Sequence, residues 1–306
     1  MSKNPLLIIL GPTASGKTKL AVELAAAFDG EIISADSRQV YTGMDIGTGK
    51  DLDEYQHQGM RVPYHLIDIR KAGEQYNVNE FKQDFFEVYQ EILSRGSLPV
   101  LCGGTGMYIH SLLQKQDFTA VPVDTALREH LAHFDIQQLR LRLSDFPEEL
   151  IGHADHSSHK RLIRAIEIAE YLKDHTLETS ERPAFSPVVI GLTSTVEERR
   201  KRIAKRLNSR LASGLIAEVA NLLKDGIPRE TLEYYGLEYK FISMYLHNDL
   251  TLKELNERLL IAINQFAKRQ MTFFRKMEKD GVKIHWYDIN EDREEIKNSI
   301  IKIIDL

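Results

Sequence analysis

The chain has 306 residues, a formal charge of −5, 42% hydrophobic and 28% charged residues, enough for one α/β domain with a smaller one attached. This balance excludes a protein that coats nucleic acid through a general basic excess, and no apolar run is long enough for a membrane-spanning helix. The single cysteine, Cys102, excludes an internal disulfide; in the apolar run LPVLC it predicts a buried thiol and fits a reducing cytoplasm.

In chain order, MSKNPLLIIL has no small-residue cleavage site and runs into a Gly-rich loop, so LLIIL is read as a first strand rather than a leader. The loop GPTASGKT (11–18) satisfies G-x-x-x-x-G-K-[ST] between a strand and a helical pattern through Leu20 to Phe28. Its backbone N–H groups can face a phosphate at a helix N-terminus, Lys17 adds positive charge, and the Thr18 hydroxyl can reach a magnesium ion. Those parts recognise any diphosphate and do not demand an adenine; the competing account is a plain Gly turn. EIISA reads as the second strand, which puts Asp36 at its carboxyl end, the edge where open α/β sheets bind ligands. There Asp36 is either a proton acceptor or the N-cap of a short helix.

HLIDI (65–69) reads as another strand, with Asp68 as a magnesium partner or a strand-end cap. A helix near Val78 to Ser94 and the strand PVLCGG follow, so GGTGMY (103–108) reaches the same sheet edge and carries the Thr105 hydroxyl, unless it is a simple turn. From Phe118 to Glu181 the pattern is helical, with breakers near Pro122, Pro147 and Gly152. His153, His156 and His159 lie there in GHADHSSH, a polar loop by composition although the spacing also evokes a metal. SPVVIGLT (186–193) returns to strand, and VKIHWYDI (282–289) supplies a last one. Between them, RRKRIAKRLNSR (199–210) and AKRQMTFFRKMEK (267–279) are basic, either solvated helix faces or a nucleic-acid grip. Tyr234, Tyr235 and Tyr239 stack on RNA or pack between helices.

The alternation predicts an α/β fold, a P-loop NTPase-like parallel sheet flanked by helices, with a helical insertion domain. The core is expected over 1–117 and 185–306, and the insertion over 118–184. A hydrolase that consumes ATP normally places an acidic residue at the end of an apolar strand, where PVLCGGT has a threonine. The set therefore suits a transfer with pyrophosphate as leaving group at least as well as kinase chemistry.

Together GPTASGKT, ADSRQVY, MDIGTGK (44–50), NVNEF (77–81), GGTGMY and FAKRQMTFFR (266–275) resemble the tRNA dimethylallyltransferases, over most of the chain and in the right order. That resemblance implies transfer of a dimethylallyl group from dimethylallyl diphosphate to the exocyclic amine of the adenosine just 3′ of the anticodon in tRNA. It implies that Gly11, Pro12, Thr13, Ala14, Ser15, Gly16, Lys17 and Thr18 grip the diphosphate, with Mg2+ on Thr18. Lys17 and Arg210 would neutralise the departing pyrophosphate, Asp36 would be the general base, and Thr105 would bond the bridging-oxygen region of the donor. Asp36, Ser37, Arg38, Gln39 and Thr105 would receive the base, and Arg128 with the run Lys160, Arg161, Leu162, Ile163 and Arg164 would touch tRNA. A cytoplasmic monomer of bacterial type, without a zinc-finger extension, is implied.

The sequence departs from the family at DHSSHKRLIR, where an HPND-like run is usual, at IGTGKD for IGTAKP, and at GLEYKF for G-Y-[KR]-[EQ]. Its rivals are an adenylate isopentenyltransferase acting on free AMP, ADP or ATP, and a P-loop small-molecule kinase.

Overall fold

The computed structural model describes residues 4–114, 117–152, 154–177 and 185–304. These divide into two compact units, one of residues 1–114 with 183–306 and one of residues 115–182.

The larger unit opens with β1 (Pro5–Leu10), α1 (Lys17–Ala27) and β2 (Gly30–Ser34), then a small hairpin of β3 (Gln56–His57) and β4 (Met60–Arg61), and β5 (Tyr64–His65). Next come α2 (Val78–Ser94), β6 (Leu98–Gly103) and α3 (Gly106–Leu113). The smaller unit holds α4 (Thr125–Ala132), α5 (Ile136–Ser144), α6 (Glu148–Ile151) and α7 (His159–Asp174). The larger unit resumes with β7 (Ser186–Thr193), α8 (Val196–Ala212), α9 (Leu215–Lys224), α10 (Arg229–Tyr235), α11 (Leu237–Leu246), α12 (Leu252–Lys279), β8 (Ile284–Asp288) and α13 (Arg293–Ile304).

Among the described residues six strands form one sheet in the order β5-β2-β6-β1-β7-β8, and every pairing in it is parallel. Parallel strands must be covered on both faces, which explains why β1 is apolar at successive positions rather than alternate ones. Leu6, Ile8 and Leu10 face one core, Leu7 and Ile9 the other. Around the second of these pack Leu20, Leu24 and Ala25 of α1 with Ile296 and Ile300 of α13. The first is built against α2, α3 and the helices of the last third.

Because Leu10 pairs with Gly103 and Ser34 with Cys102, β1, β2 and β6 end level with one another. The chain leaves β1 towards β2 on one side, whereas β7 lies on the other side of β1. The loops after β1 and β6 therefore meet at a topological switch point, the place where such sheets bind ligands.

Two local readings needed correction. Of HLIDI only His65 belongs to a strand, β5 (Tyr64–His65), because Leu66 (φ 60°) and Asp68 (φ 58°) turn the chain away from the sheet. Asp68 accepts an ion pair from Lys50, so it acts as a structural counter-ion for a lysine that is 1% exposed. Helix α1 starts at Lys17 rather than Leu20, since the phosphate loop passes directly into its first turn.

In the smaller unit Leu131, Leu139, Leu143, Phe146, Leu162, Ile163 and Ile166 form the core. Beside it the Glu167 carboxylate, 2% exposed, accepts two bonds from Arg128 at 2.8 and 2.7 Å, the N–H of Asp124 at 2.7 Å and a further contact from Arg164. Burial alone would push this carboxyl up, but those donors outweigh it and hold Glu167 below the usual carboxylate range. Its folded value thus lies below its unfolded value, so the stabilisation is complete near neutral pH and is lost as pH falls through the lowered value. Glu167→Ala is expected to destabilise this unit by about 3 kcal/mol, because two guanidinium groups lose their shared counter-ion. Limited proteolysis between α4 and α7 at neutral pH checks it; cleavage no faster than in the parent protein would contradict the assigned role.

Candidate functional site

At the carboxyl edge of β1, the turn from Gly11 is closed by the N–H of Ser15 donating to the Pro12 carbonyl at 3.3 Å. Gly16 stands at φ 78° with open space around it, a conformation that lets the chain swing into α1 without a Cβ penalty. Helix α1 has no side-chain cap at its N-terminus and no acidic residue in its first turn. Its first N–H groups thus lack an internal partner, and an anion can complete them.

Cations surround this end. Burial pushes the Lys17 ammonium below the ordinary lysine value. Burial, with the Arg210 charge adding to it, brings Arg206 down to about 10. Arg206 donates to the Thr13 hydroxyl, and Arg210 faces Asp51 at 3.5 Å. Desolvated cations favour a ligand that brings negative charge with it.

On the neighbouring strand ends, Asp36 uses one carboxylate oxygen to accept the N–H of Arg38 at 2.9 Å. That bond fixes the side chain as an Asx turn does and leaves the second oxygen outside it. The hydroxyl of Thr105 accepts the N–H of Ser37 at 3.1 Å, while the N–H of Thr105 donates to Ala35 at 3.1 Å. Two hydrogen bonds thus tie the β2 and β6 loops together, and because the Thr105 oxygen acts as acceptor, its proton stays available to a ligand.

Gln39 donates to the Gly49 carbonyl at 2.9 Å and accepts from Ser34 at 2.9 Å, so both ends of its amide brace the loop. Gly49 stands at φ 67°, in the left-handed region that favours glycine, and a Cβ there would displace the Arg210 guanidinium. The loop before it is held by Glu218, whose carboxylate accepts the N–H groups of Asp45, Ile46 and Gly47 at 2.9, 2.7 and 3.0 Å.

Around these groups lies a cavity of about 1120 Å³, lined among others by Thr13, Ala14, Gly16, Lys17, Thr18, Asp36, Ser37, Arg38, Gln39, Thr105 and Arg210. Of the loop positions expected at a ligand, Gly11, Pro12 and Ser15 do not line it and instead back the turn. Arg128, Lys160, Arg161, Leu162, Ile163 and Arg164 belong to the smaller unit. There Leu162 and Ile163 are core residues, 0% and 8% exposed, which corrects their reading as RNA contacts. Arg128 and Arg164 are committed to Glu167, whereas Lys160 and Arg161 are exposed.

Arg206, Gln270, Glu54 and Glu238 are among the lining residues that local sequence did not single out. Arg206 lies one turn before Arg210 on α8, and the i, i+4 spacing within RRKRIAKRLNSR was the available signal. Gln270, 8% exposed on α12, accepts the N–H of Thr13 at 2.9 Å and donates to the Gly104 carbonyl at 2.9 Å, bracing the β1 and β6 loops against one helix. Glu54 and Glu238 also line the cavity, and burial pushes both carboxyls up. Nothing local marks Glu54, whereas Glu238 lies in GLEYKF, the segment that departs from G-Y-[KR]-[EQ]. Cys102 is a buried thiol held up to about 12 by desolvation.

This arrangement can hold an anion against N–H groups and cations, present a carboxylate to a nucleophile, and offer a hydroxyl donor between them. A family model described as IPP transferase matches residues 39–277, and one described as isopentenyl transferase matches residues 4–72. The chain is 49% identical over 298 residues to tRNA dimethylallyltransferase 2 of Porphyromonas gingivalis, covering 97% of this chain and 98% of that one. It is 50% identical over 283 residues to tRNA dimethylallyltransferase 1 of Geotalea daltonii, covering 92% and 90%. The crystal structure of the tRNA isopentenylpyrophosphate transferase of Bacillus halodurans superposes with a TM-score of 0.71 at 33% identity, over 99% of this chain and 97% of that one. A eukaryotic dimethylallyltransferase acting on tRNA shares the fold at a TM-score of 0.74 and 21% identity, over 99% of this chain and 78% of that one.

Proposed function

The chain belongs to the tRNA dimethylallyltransferase (IPP transferase) family, and on that premise we propose that it moves a dimethylallyl group from dimethylallyl diphosphate to the N6 amine of the adenosine 3′-adjacent to the anticodon in tRNA, releasing pyrophosphate. The observation that carries this reading is the uncapped N-terminus of α1 lining one cavity with the Asp36 carboxylate and the Thr105 hydroxyl.

The donor diphosphate lies on the α1 N-terminus, with Lys17, Arg206 and Arg210 around it. The adenine N6 forms a bond to the allylic carbon as the carbon–oxygen bond to pyrophosphate breaks. Asp36 takes the proton lost by N6, and the Thr105 hydroxyl bonds the oxygen that leaves. Fixed donors aimed at charge that grows on the leaving group lower the barrier without reorganisation. The base has to leave its stack to reach the cavity, at a cost of a few kcal/mol that is smallest for an unpaired loop nucleotide.

Magnesium fits the oxygen set of the site. Among the described residues no group of three or more His, Cys, Asp or Glu could cage an ion, and Mg2+ bound to a phosphate needs only one or two protein oxygens. Thr18, which lines the cavity, would hold it, and the ion would neutralise diphosphate charge. Lys160 and Arg161, both exposed at the start of α7, are cations of the smaller unit that support its role as a tRNA contact. No described helix is long and apolar enough to cross a membrane, and a cytoplasmic enzyme acting as a monomer on one tRNA is the reading we adopt.

Pyrophosphate release from dimethylallyl diphosphate should require unmodified tRNA and stop near one equivalent per tRNA. Release without tRNA, or in excess of it, would overturn the proposal. Binding of tRNA should weaken linearly on a log–log plot against salt, since the phosphate contacts displace counterions. A flat salt response would favour a free adenine nucleotide as acceptor.

A further inference from the structure

The three tyrosines near the start of α11 differ in environment. Tyr235 and Tyr239 are each 1% exposed, whereas Tyr234 is 60% exposed and lines the cavity. The buried neighbours are anchored. The Tyr235 hydroxyl accepts the N–H of Gly73 at 2.6 Å and donates to the Glu74 carbonyl at 2.8 Å, and its ring lies 4.4 Å from that of Tyr41. Tyr234 stands edge-on to Tyr235, with ring centroids 6.0 Å apart, so its ring rests on a fixed base.

Over that ring lies the Arg38 guanidinium, 5.1 Å from the centroid. Arg38 is in turn tied to the reaction centre, because its N–H donates to the Asp36 carboxylate at 2.9 Å. A single exposed tyrosine needs no explanation by itself. A tyrosine with an arginine against its face, two residues along the chain from the proton acceptor, combines the two groups on which unpaired bases stack.

We propose that Tyr234 and Arg38 form a stacking platform for the base next to the adenosine that enters the cavity. Extruding one base leaves its neighbour without a stacking partner, and the platform supplies one. The subsite takes an unpaired base by its face rather than its edge, so it orders the loop with little selection among bases. This inference rests on the reading that the acceptor is an RNA loop.

The test measures binding of an unmodified anticodon stem-loop RNA by the full chain and its Tyr234→Leu and Tyr234→Phe variants. It is repeated with RNAs that are abasic at the nucleotide 5′ or 3′ of the target adenosine. Tyr234→Leu should bind the intact RNA about tenfold more weakly, and Tyr234→Phe should bind it as the parent does. With one of the two abasic RNAs, parent and Tyr234→Leu should bind equally, and the KM for dimethylallyl diphosphate should be unchanged throughout. Equal binding of intact RNA by parent and Tyr234→Leu, an undiminished loss on both abasic RNAs, or a loss that appears in the donor KM instead would overturn the platform. Prenylation of the intact RNA by the parent is recorded in parallel. Its absence would remove the RNA reading itself, a result distinct from failure of the platform alone.

Discussion

Asp36→Ala is expected to lower the rate of prenyl transfer by about 10²–10⁴ at saturating tRNA and donor, the range typical of a lost general base, while the Kd for tRNA changes little. The adenine N6 is a poor nucleophile, because its lone pair is delocalised into the ring. It becomes effective as the carboxylate removes its proton during bond formation. The geometry fits a base held for that purpose: one Asp36 oxygen is pinned by the N–H of Arg38, and the residue lies at the carboxyl edge of β2 in the same cavity as Lys17 and Thr105. Asp36→Asn keeps the bond to Arg38 and tests the charge alone. Single-turnover transfer and filter binding of tRNA separate the two effects, and an equal loss in both would exclude the general-base role.

Lys17→Met should reduce turnover by roughly 10²–10³, as for other fixed groups that stabilise charge growing on a leaving group, and should leave the donor-free protein no less stable. The reason is the same for both effects. Burial pushes the Lys17 ammonium below the ordinary lysine value, so without its anion the charge is a burden on the fold. The folded chain gives up this proton at a lower pH than the unfolded chain. Between those values the unfolded state holds more protons, and the stability contributed by Lys17 rises with pH. Affinity for the diphosphate falls over the same window, because the neutral amine no longer attracts it. Thermal unfolding of parent and variant with and without inorganic pyrophosphate should show pyrophosphate raising the midpoint of the parent far more than that of Lys17→Met. An equal rise in both would show that Lys17 does not face the anion.

The phosphate loop, the limits of α2 at Val78–Ser94 and of β7 at Ser186–Thr193, and the convergence of Asp36 and Thr105 on one cavity were legible in the chain. Local apolar periodicity defines strands and helices, and a parallel sheet then brings its carboxyl ends to one edge. The segment HLIDI defeated that logic because two positive φ angles, at Leu66 and Asp68, are not encoded by glycine and leave no mark in the pattern. The run KRLIR was read as a contiguous contact, yet a helix turns 100° per residue. Leu162 and Ile163 therefore face the core while Lys160 and Arg161 face solvent. Gln270, Glu54 and Glu238 reach the cavity through tertiary packing from segments far apart in the chain, and no local spacing foretells such a meeting.

GLEYKF, one of the segments that depart from the family pattern, places Glu238 in the cavity lining, with Arg206 and Arg210 among the charges that act on it.

The most direct measurement of the account is a competition. The protein is incubated with labelled dimethylallyl diphosphate, magnesium and equal amounts of unmodified tRNA and AMP, with ATP absent, and the label is traced. Label is expected in tRNA alone, on the adenosine 3′ of the anticodon. Label in AMP would contradict it.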